Sequence, residues 1–454
     1  MKRFFSFLAL SSLLLTTGIG CKGLSAEQQK AISPIRLNYW TVFDDVGELK
    51  KLADEYKKIR PYVTVNIRQV RYEEFDKLFV NALADDVGPD VVSMHTRYLR
   101  KYAGRLSPLP AQVTVANVQI QGKETIVTTE KKSLPTLATL KGNYVSTVGD
   151  DININGRIYG LPIALDTMAL YYNKTLLDQA GIPTAPTTWD EFLDAVKKTT
   201  KLSPDGKVVQ AGVALGTDTN IDNAADILAV LMLQKGLEVT KGSAVTFTQG
   251  ATKETAGKEA LEALRFYTDF ARPTKEIYTW NKDMEKAFDS FVRGKSVFYF
   301  GFAYDYARIK GRAPQMSLEV VTLPQLNPGK PANVANYWVE SVTKKSKHQN
   351  EAWDFVTFIT NAQNVKKYTD AARIPSPYRI HVSDQVKNPV LAPFASQTLI
   401  AKNWYRGREY DAARRAFANM STLYLQPVNT EEITREERDA AIIVDAANKI
   451  QQTL

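Results

Sequence analysis

Residues 156–174 read GRIYGLPIALDTMALYYNK, an apolar, aromatic-rich run broken by one proline and one acid, Asp166. Ile163, Ala164 and Leu165 lead in and Met168 to Tyr172 lead out, so Asp166 and Thr167 lie between two strand-like segments. A carboxylate in such a run is costly to bury unless something pairs with it. Either it forms a buried structural pair, or the strand crosses between two lobes and shows its polar residues to a cleft. We read it as a crossing.

The length supports two lobes, because 454 residues exceed what a single core usually serves. Hydrophobic content of 44%, charged content of 24% and 10% aromatics describe an ordinary globular chain. The net charge of +9 is spread along the sequence with no basic tail or aromatic-interleaved basic block. A nucleic-acid footprint is therefore not expected.

The N-terminus reads as an export signal over residues 1–20. Lys2 and Arg3 precede an apolar segment, Phe4 to Leu15, too short to span a bilayer as a mature helix. Thr17 to Cys21 resembles the bacterial lipobox, with Gly18 departing from the usual leucine. Cys21, the only cysteine, is the expected lipidation site, since a lone exported thiol would be reactive. Residues 21–34 read as a tether, which places the mature protein outside the cytoplasmic membrane and anchored to it.

After the tether, alternation at Ile35, Leu37 and Tyr39 predicts a strand, and Leu49, Leu52, Ala53 and Tyr56 share a helical face. Val63, Val65 and Ile67 predict a second strand, Phe75 to Leu83 a second helix, and Val91 to Met94 a buried third strand. This β-α-β-α-β order implies a mostly parallel sheet flanked by helices, with ligands at the carboxyl ends of its strands. Residues 108–143 read as a surface insertion, a candidate hairpin, and Asp150-Asp151 as a solvated turn. Thr188 and Glu191 form a capping box. Helical patterns at 224–235, 258–270 and 284–292, with strands at 297–300 and 318–321, give a second α/β lobe. The chain from Leu399 onward reads as helical, Glu431-Glu432 favouring a helix N-terminus.

Three ordered blocks carry a family resemblance. GRIYGLPIALDTMALYYNKTLLDQAGIPTAPTTWDEFLDAVKK (156–198), FVRGKSVFYFGFAYDY (291–306) and YWVESVTKKSKHQNEAWDFVTFIT (337–360) resemble family-1 extracellular solute-binding proteins of ABC importers, the maltose-binding-protein-like group. The resemblance implies a two-lobed, type II periplasmic-binding-protein fold with three hinge crossings, near 165–167, 323–325 and 377–380. Lobe 1 would then comprise 35–164 and 326–376, and lobe 2 168–322 and 380–454. It implies a monomeric binding protein without enzymatic activity, cofactor or metal. Such a protein closes on a small solute, most readily a carbohydrate, and hands it to permease subunits.

Sugar recognition needs flat apolar surfaces for the ring face and polar groups for the hydroxyls. Trp40, Phe43 and Asp44 lie in the first loop, with a core anchor as the competing role for Trp40. His95, Thr96 and Arg97 follow the third strand; the resemblance implies an aromatic and an acid at the positions matching Met94 and Arg97, and this sequence departs at both. Asp166 matches an acidic ligand-contact position. Tyr304 and Asp305 follow the second block, Tyr337 and Trp338 open the third, Arg373 precedes the last crossing, and Trp404 is a further stacking candidate. Trp280 and Trp353 are assigned to packing. Competing readings are an exported glycoside hydrolase using Asp44, Asp166 and Asp305, a binder of polyamines, phosphate esters or ferric ion, and an adhesin without a transporter.

Overall fold

The computed structural model describes residues 24–122, 124–248, 257–427 and 434–454. The export signal, Cys21 and Glu431-Glu432 lie outside the described residues. Part of the expected tether is a short helix, Ala26–Ala31, capped by Ser25. It packs onto the following domain through Gln28, whose Nε2 donates to the Val127 carbonyl at 3.1 Å.

Apolar side chains gather into two separate cores, because two sheets each bury their helix-covered faces. In the first, strands run in the order 63–69, 35–41, 91–95, 338–343, 106–107; in the second, 201–202, 208–213, 296–301, 169–173, 318–321. The strand Ile35–Thr41 pairs in parallel with Val63–Gln69 and Val91–His95, as the β-α-β pattern predicts. The strand Val208–Val213 pairs in parallel with Ser296–Gly301. The strands that follow a crossing break the expected mostly parallel arrangement. Trp338–Thr343 is antiparallel to Val91–His95, and Ala169–Asn173 is antiparallel to both its neighbours. Each arrives from the opposite lobe and so enters its sheet from the other end; both sheets are mixed.

Between the cores lies a three-stranded ribbon. Asn333–Asn336 pairs antiparallel with Asp166–Thr167 and parallel with Ala401–Lys402. Leu165 packs in the first core and Met168 in the second, so the chain crosses at Asp166–Thr167. The second crossing is not at 323–325. Leu323, Ala332 and Val334 belong to the second core and Ala335 to the first, because Gln234 holds the intervening loop through Pro324 and Leu326. The third falls after 377–380. Helix Arg379–Gln385 stays on the first lobe, with His381 bound to Ser376 at 2.7 Å and Gln385 accepting from the Ser376 N–H, and Phe394 enters the second core.

Residues 108–143 contain a hairpin of two ten-residue strands, Gln112–Gln121 and Glu124–Ser133. Its base is clamped where Asp354 accepts from Lys132 at 2.7 Å and from Arg60 at 3.0 Å. Asp150-Asp151 is not a solvated turn but the end of helix Ser146–Asp151. Asp151 is fully buried, accepting from Arg406 Nε at 2.6 Å and from the Tyr337 hydroxyl at 2.6 Å. Trp280 and Trp353 are core residues, and the Thr188–Glu191 capping box is formed. Among the described residues, no helix is long and apolar enough to cross a membrane.

Candidate functional site

The lobes meet along a seam built from the carboxyl ends of strands and the first turns of helices. On the first lobe Phe43 follows Ile35–Thr41, Tyr72 opens helix Tyr72–Ala84, and His95 ends Val91–His95. Arg97 and Tyr98 lie on the short helix Thr96–Tyr102, and Trp338 follows the hinge ribbon. Facing them on the second lobe are Asp226 on helix Ala224–Gln234, Tyr304 on Ala303–Arg312, Trp404 just after the ribbon, and Tyr410 opening Tyr410–Leu425.

Among the contacts that cross the seam, two groups stand out. Phe43, 62% exposed, lies 6.3 Å from Tyr304 with the rings 17° from parallel. Trp338 meets Phe43 edge-on at 5.6 Å, and Tyr72 completes the first-lobe surface at 5.8 Å from Phe43. The second group is polar and buried. Arg97 Nη2 donates to Asp226 Oδ1 at 2.5 Å, and Nη1 donates to Tyr410 Oη at 2.8 Å. Trp404 Nε1 donates to the same Asp226 oxygen at 2.7 Å. Tyr98 lies edge-on to Tyr410 at 5.6 Å, and its hydroxyl donates to Asp411 at 3.2 Å.

His95 packs edge-on against Trp338 and Tyr98 of this seam. Its Nδ1 accepts the Arg97 backbone N–H at 3.1 Å, so Nε2 carries the proton and donates to Asn336 Oδ1 at 2.7 Å. Burial, with the Arg97 charge adding to it, pulls the imidazole down to about 3. It is neutral at physiological pH. The Thr96 hydroxyl donates to the Tyr337 carbonyl at 3.3 Å and accepts from Asn403 of the second lobe at 3.4 Å.

Other expected site residues are turned away. Asp166 is 2% exposed, and its carboxylate accepts from the backbone N–H groups of Thr167 (2.8 Å), Ala303 (3.0 Å) and Tyr304 (3.4 Å). It anchors the first turn of the helix that carries Tyr304, although burial outweighs those amides and lifts it to about 8. Asp305 caps the same helix from within, accepting from Phe302 N–H at 3.1 Å and Arg308 at 2.5 Å. Asp44 bonds the hydroxyls of Thr41, Ser93 and Tyr368 inside the first lobe. Each of these three acids thus has its carboxyl oxygens engaged by donors of the protein itself.

Trp40 is a core anchor, 7% exposed, with the Arg68 guanidinium 5.0 Å from its ring. Tyr337 is buried and spends its hydroxyl on Asp151. Arg373 is an exposed helix end in the left-handed region, φ 55°, closing Ala362–Ala372. Trp404 is 1% exposed and reaches the seam through its indole N–H and one face.

The unanticipated members are Tyr72, Tyr98, Asp226 and Tyr410. Asp226 had a readable signal: it is the lone charge in AADILAVLMLQ, and an acid on an otherwise apolar helix must find a partner. The tyrosines carried none beyond their type. Beside Trp404 a crevice of about 200 Å³ opens between Thr147 and Asp150 of the first lobe and Glu238, Thr240 and Asn403 of the second. Among the described residues no group of three or more His, Cys, Asp or Glu side chains is placed to hold a metal ion.

This architecture is that of two-lobed solute-binding proteins. A cyclic α-maltosyl-1,6-maltose binding protein from Arthrobacter globiformis superposes with a TM-score of 0.71 at 17% identity, over 92% of this chain and all (100%) of that one. A cyclo/maltodextrin-binding protein complexed with maltotetraose superposes at 0.67 and 19% identity, over 92% and 97%. The multiple sugar-binding protein of Streptococcus mutans is 22% identical over 425 residues, covering 93% of this chain and 92% of its own. The family model for bacterial extracellular solute-binding proteins matches residues 51–393. The chain belongs to that family, whose members are binding proteins working outside the cytoplasm.

Proposed function

We propose that this protein captures a carbohydrate, most readily an oligosaccharide, between its lobes and delivers it to an ABC permease. The observation that carries the reading is the Phe43–Tyr304 pair: one aromatic face from each lobe, nearly parallel, with Trp338 at the edge. A pyranose offers two C–H faces and a rim of hydroxyls. Parallel aromatic faces on opposite lobes bind both faces at once, and a guest touching both lobes favours the closed state.

The rings are 6.3 Å apart. A sugar ring between them needs about 7–8 Å, two van der Waals contacts of about 3.5–4.0 Å each. The guest-bound closed state therefore spaces these two rings slightly wider than this structure does, with hydroxyl partners at hand in Tyr72, Tyr98 and Asp411. The polar crevice beside Trp404 extends the seam and suits a guest of more than one sugar unit. The sugar-binding relatives support the same class. We further read Cys21 as the lipid-anchored first residue, so that the monomer works tethered to the outer face of the cytoplasmic membrane.

The test is a thermal-shift screen of the purified mature protein against mono- and oligosaccharides, polyamines and metal ions. A neutral oligosaccharide should raise the midpoint in proportion to the logarithm of its concentration. A response confined to polyamines or metal ions would refute the carbohydrate reading. For the anchor, radiolabelled lipid should be incorporated into wild type and not into Cys21→Ala.

A further inference from the structure

The second lobe carries three groups that together have the chemistry of a cation receptor. Trp404 and Tyr410 present ring faces, and Asp226 presents a carboxylate fixed by the Trp404 indole N–H at 2.7 Å. Aromatic faces joined to a carboxylate attract a flat cation through the ring quadrupoles and the negative charge at once. The occupant is a side chain of the other lobe. The Arg97 guanidinium carbon lies 5.0 Å from the Tyr410 ring and 5.6 Å from the Trp404 ring. Its two terminal nitrogens fork onto Asp226 at 2.5 and 3.3 Å, and one also donates to the Tyr410 hydroxyl. Arg97 is 5% exposed, and its Nε is buried without a hydrogen-bond partner among the described residues. The side chain is therefore held by what it finds on the second lobe and not by its own.

We propose that Trp404, Tyr410 and Asp226 form a guanidinium box on the second lobe whose resident is Arg97 of the first, so that the lobes latch on a side chain of the chain itself. Two consequences follow. The box contributes to closure independently of any guest. It is also filled, so the neighbouring aromatic seam is left to recognise an uncharged solute, and cationic guests find the receptor taken. A second cross-lobe pair, Arg406 with Asp151, lies beside Tyr337 at the hinge ribbon, where lobe rotation moves atoms least, and does not replace the latch. The inference builds on the seam being a ligand cleft, but its test needs no sugar.

The experiment is small-angle scattering on wild type, Arg97→Ala and Arg97→Ala/Asp226→Asn without added sugar, each with and without millimolar methylguanidinium. Thermal melts are recorded in parallel. Wild type should be compact and indifferent to the probe. Arg97→Ala should have a larger radius of gyration, and methylguanidinium, which fills the vacated box on the second lobe without tethering the first, should raise its melting midpoint with the logarithm of its concentration while leaving the radius expanded. The double variant should stay expanded and unresponsive.

A radius unchanged in Arg97→Ala, or an expanded variant blind to methylguanidinium, overturns the proposal. Should Arg97→Ala fail to fold by circular dichroism, Asp226→Asn alone carries the test: it keeps side-chain volume, must expand the protein, and overturns the latch if it does not. A protein that binds no sugar would fail the proposed function and leave these outcomes untouched.

Discussion

The ring of Phe43 on the first lobe lies 6.3 Å from that of Tyr304 on the second, 17° from parallel. Phe43 is 62% exposed, so the lobe core does not need it. Exposed aromatics grouped in one place mark a contact surface. Phe43→Ala should change unfolding free energy by no more than about 0.5 kcal/mol. It should weaken oligosaccharide binding by about 1–2 kcal/mol, roughly 5- to 30-fold. Chemical denaturation and isothermal titration on the same preparations separate the two effects.

Asp305 behaves oppositely. It is fully buried, caps Ala303–Arg312 from its first turn, and among the described residues finds its hydrogen-bond partners, Tyr299, Phe302 and Arg308, on the second lobe. Asp305→Ala should cost stability by about 1–2 kcal/mol through the lost cap. Affinity, measured where the variant is fully folded, should fall far less than in Tyr304→Ala. An equal fall in both would restore Asp305 as a contact residue.

Trp404 belongs to both accounts, since its ring fills the second core and its N–H holds Asp226. Trp404→Ala should destabilise by about 3–5 kcal/mol, as removal of a buried aromatic does. Trp404→Phe keeps most of the packing and loses the N–H donor; its melting midpoint should fall between those of wild type and the alanine variant.

The pH dependence has two opposed contributions. Burial holds folded His95 at about 3, below its unfolded value of 6.5. Below pH 6.5 the unfolded chain therefore takes up a proton that the native chain refuses, and stability falls as pH drops toward 3. His95→Gln should flatten that acid limb. Asp166 is the reverse case, raised by burial from 3.8 to about 8. The native chain keeps a proton that the unfolded chain releases, so its stability contribution declines as pH climbs from about 4 to about 8. Asp166→Asn should gain on wild type across that window. Equilibrium unfolding of both variants between pH 4 and 8 reads out each slope.

The two-lobed plan was legible because it rests on local patterns: alternation at Ile35–Thr41 and Val63–Gln69, the buried run at Val91–His95, and the Thr188–Glu191 cap. Strand direction was not, since Trp338–Thr343 and Ala169–Asn173 take their sense from the hinge, a long-range fact that no window of sequence carries. At the seam, residue type singled out Phe43, His95, Arg97, Tyr304 and Trp338, which the fold brings together there. It misplaced the role of Asp166, because a carboxylate beside a cleft and one capping a helix 137 residues away look alike in one dimension. Tyr410 stayed hidden for the same reason: only folding brings it 2.8 Å from Arg97.

The most direct test of the account is isothermal titration of neutral oligosaccharides into wild type and into Phe43→Ala/Tyr304→Ala. A one-to-one complex with wild type, weakened on the order of 100-fold in a double variant that still folds, is the expected result. Undiminished affinity in the double variant, or no oligosaccharide bound by wild type, would contradict it.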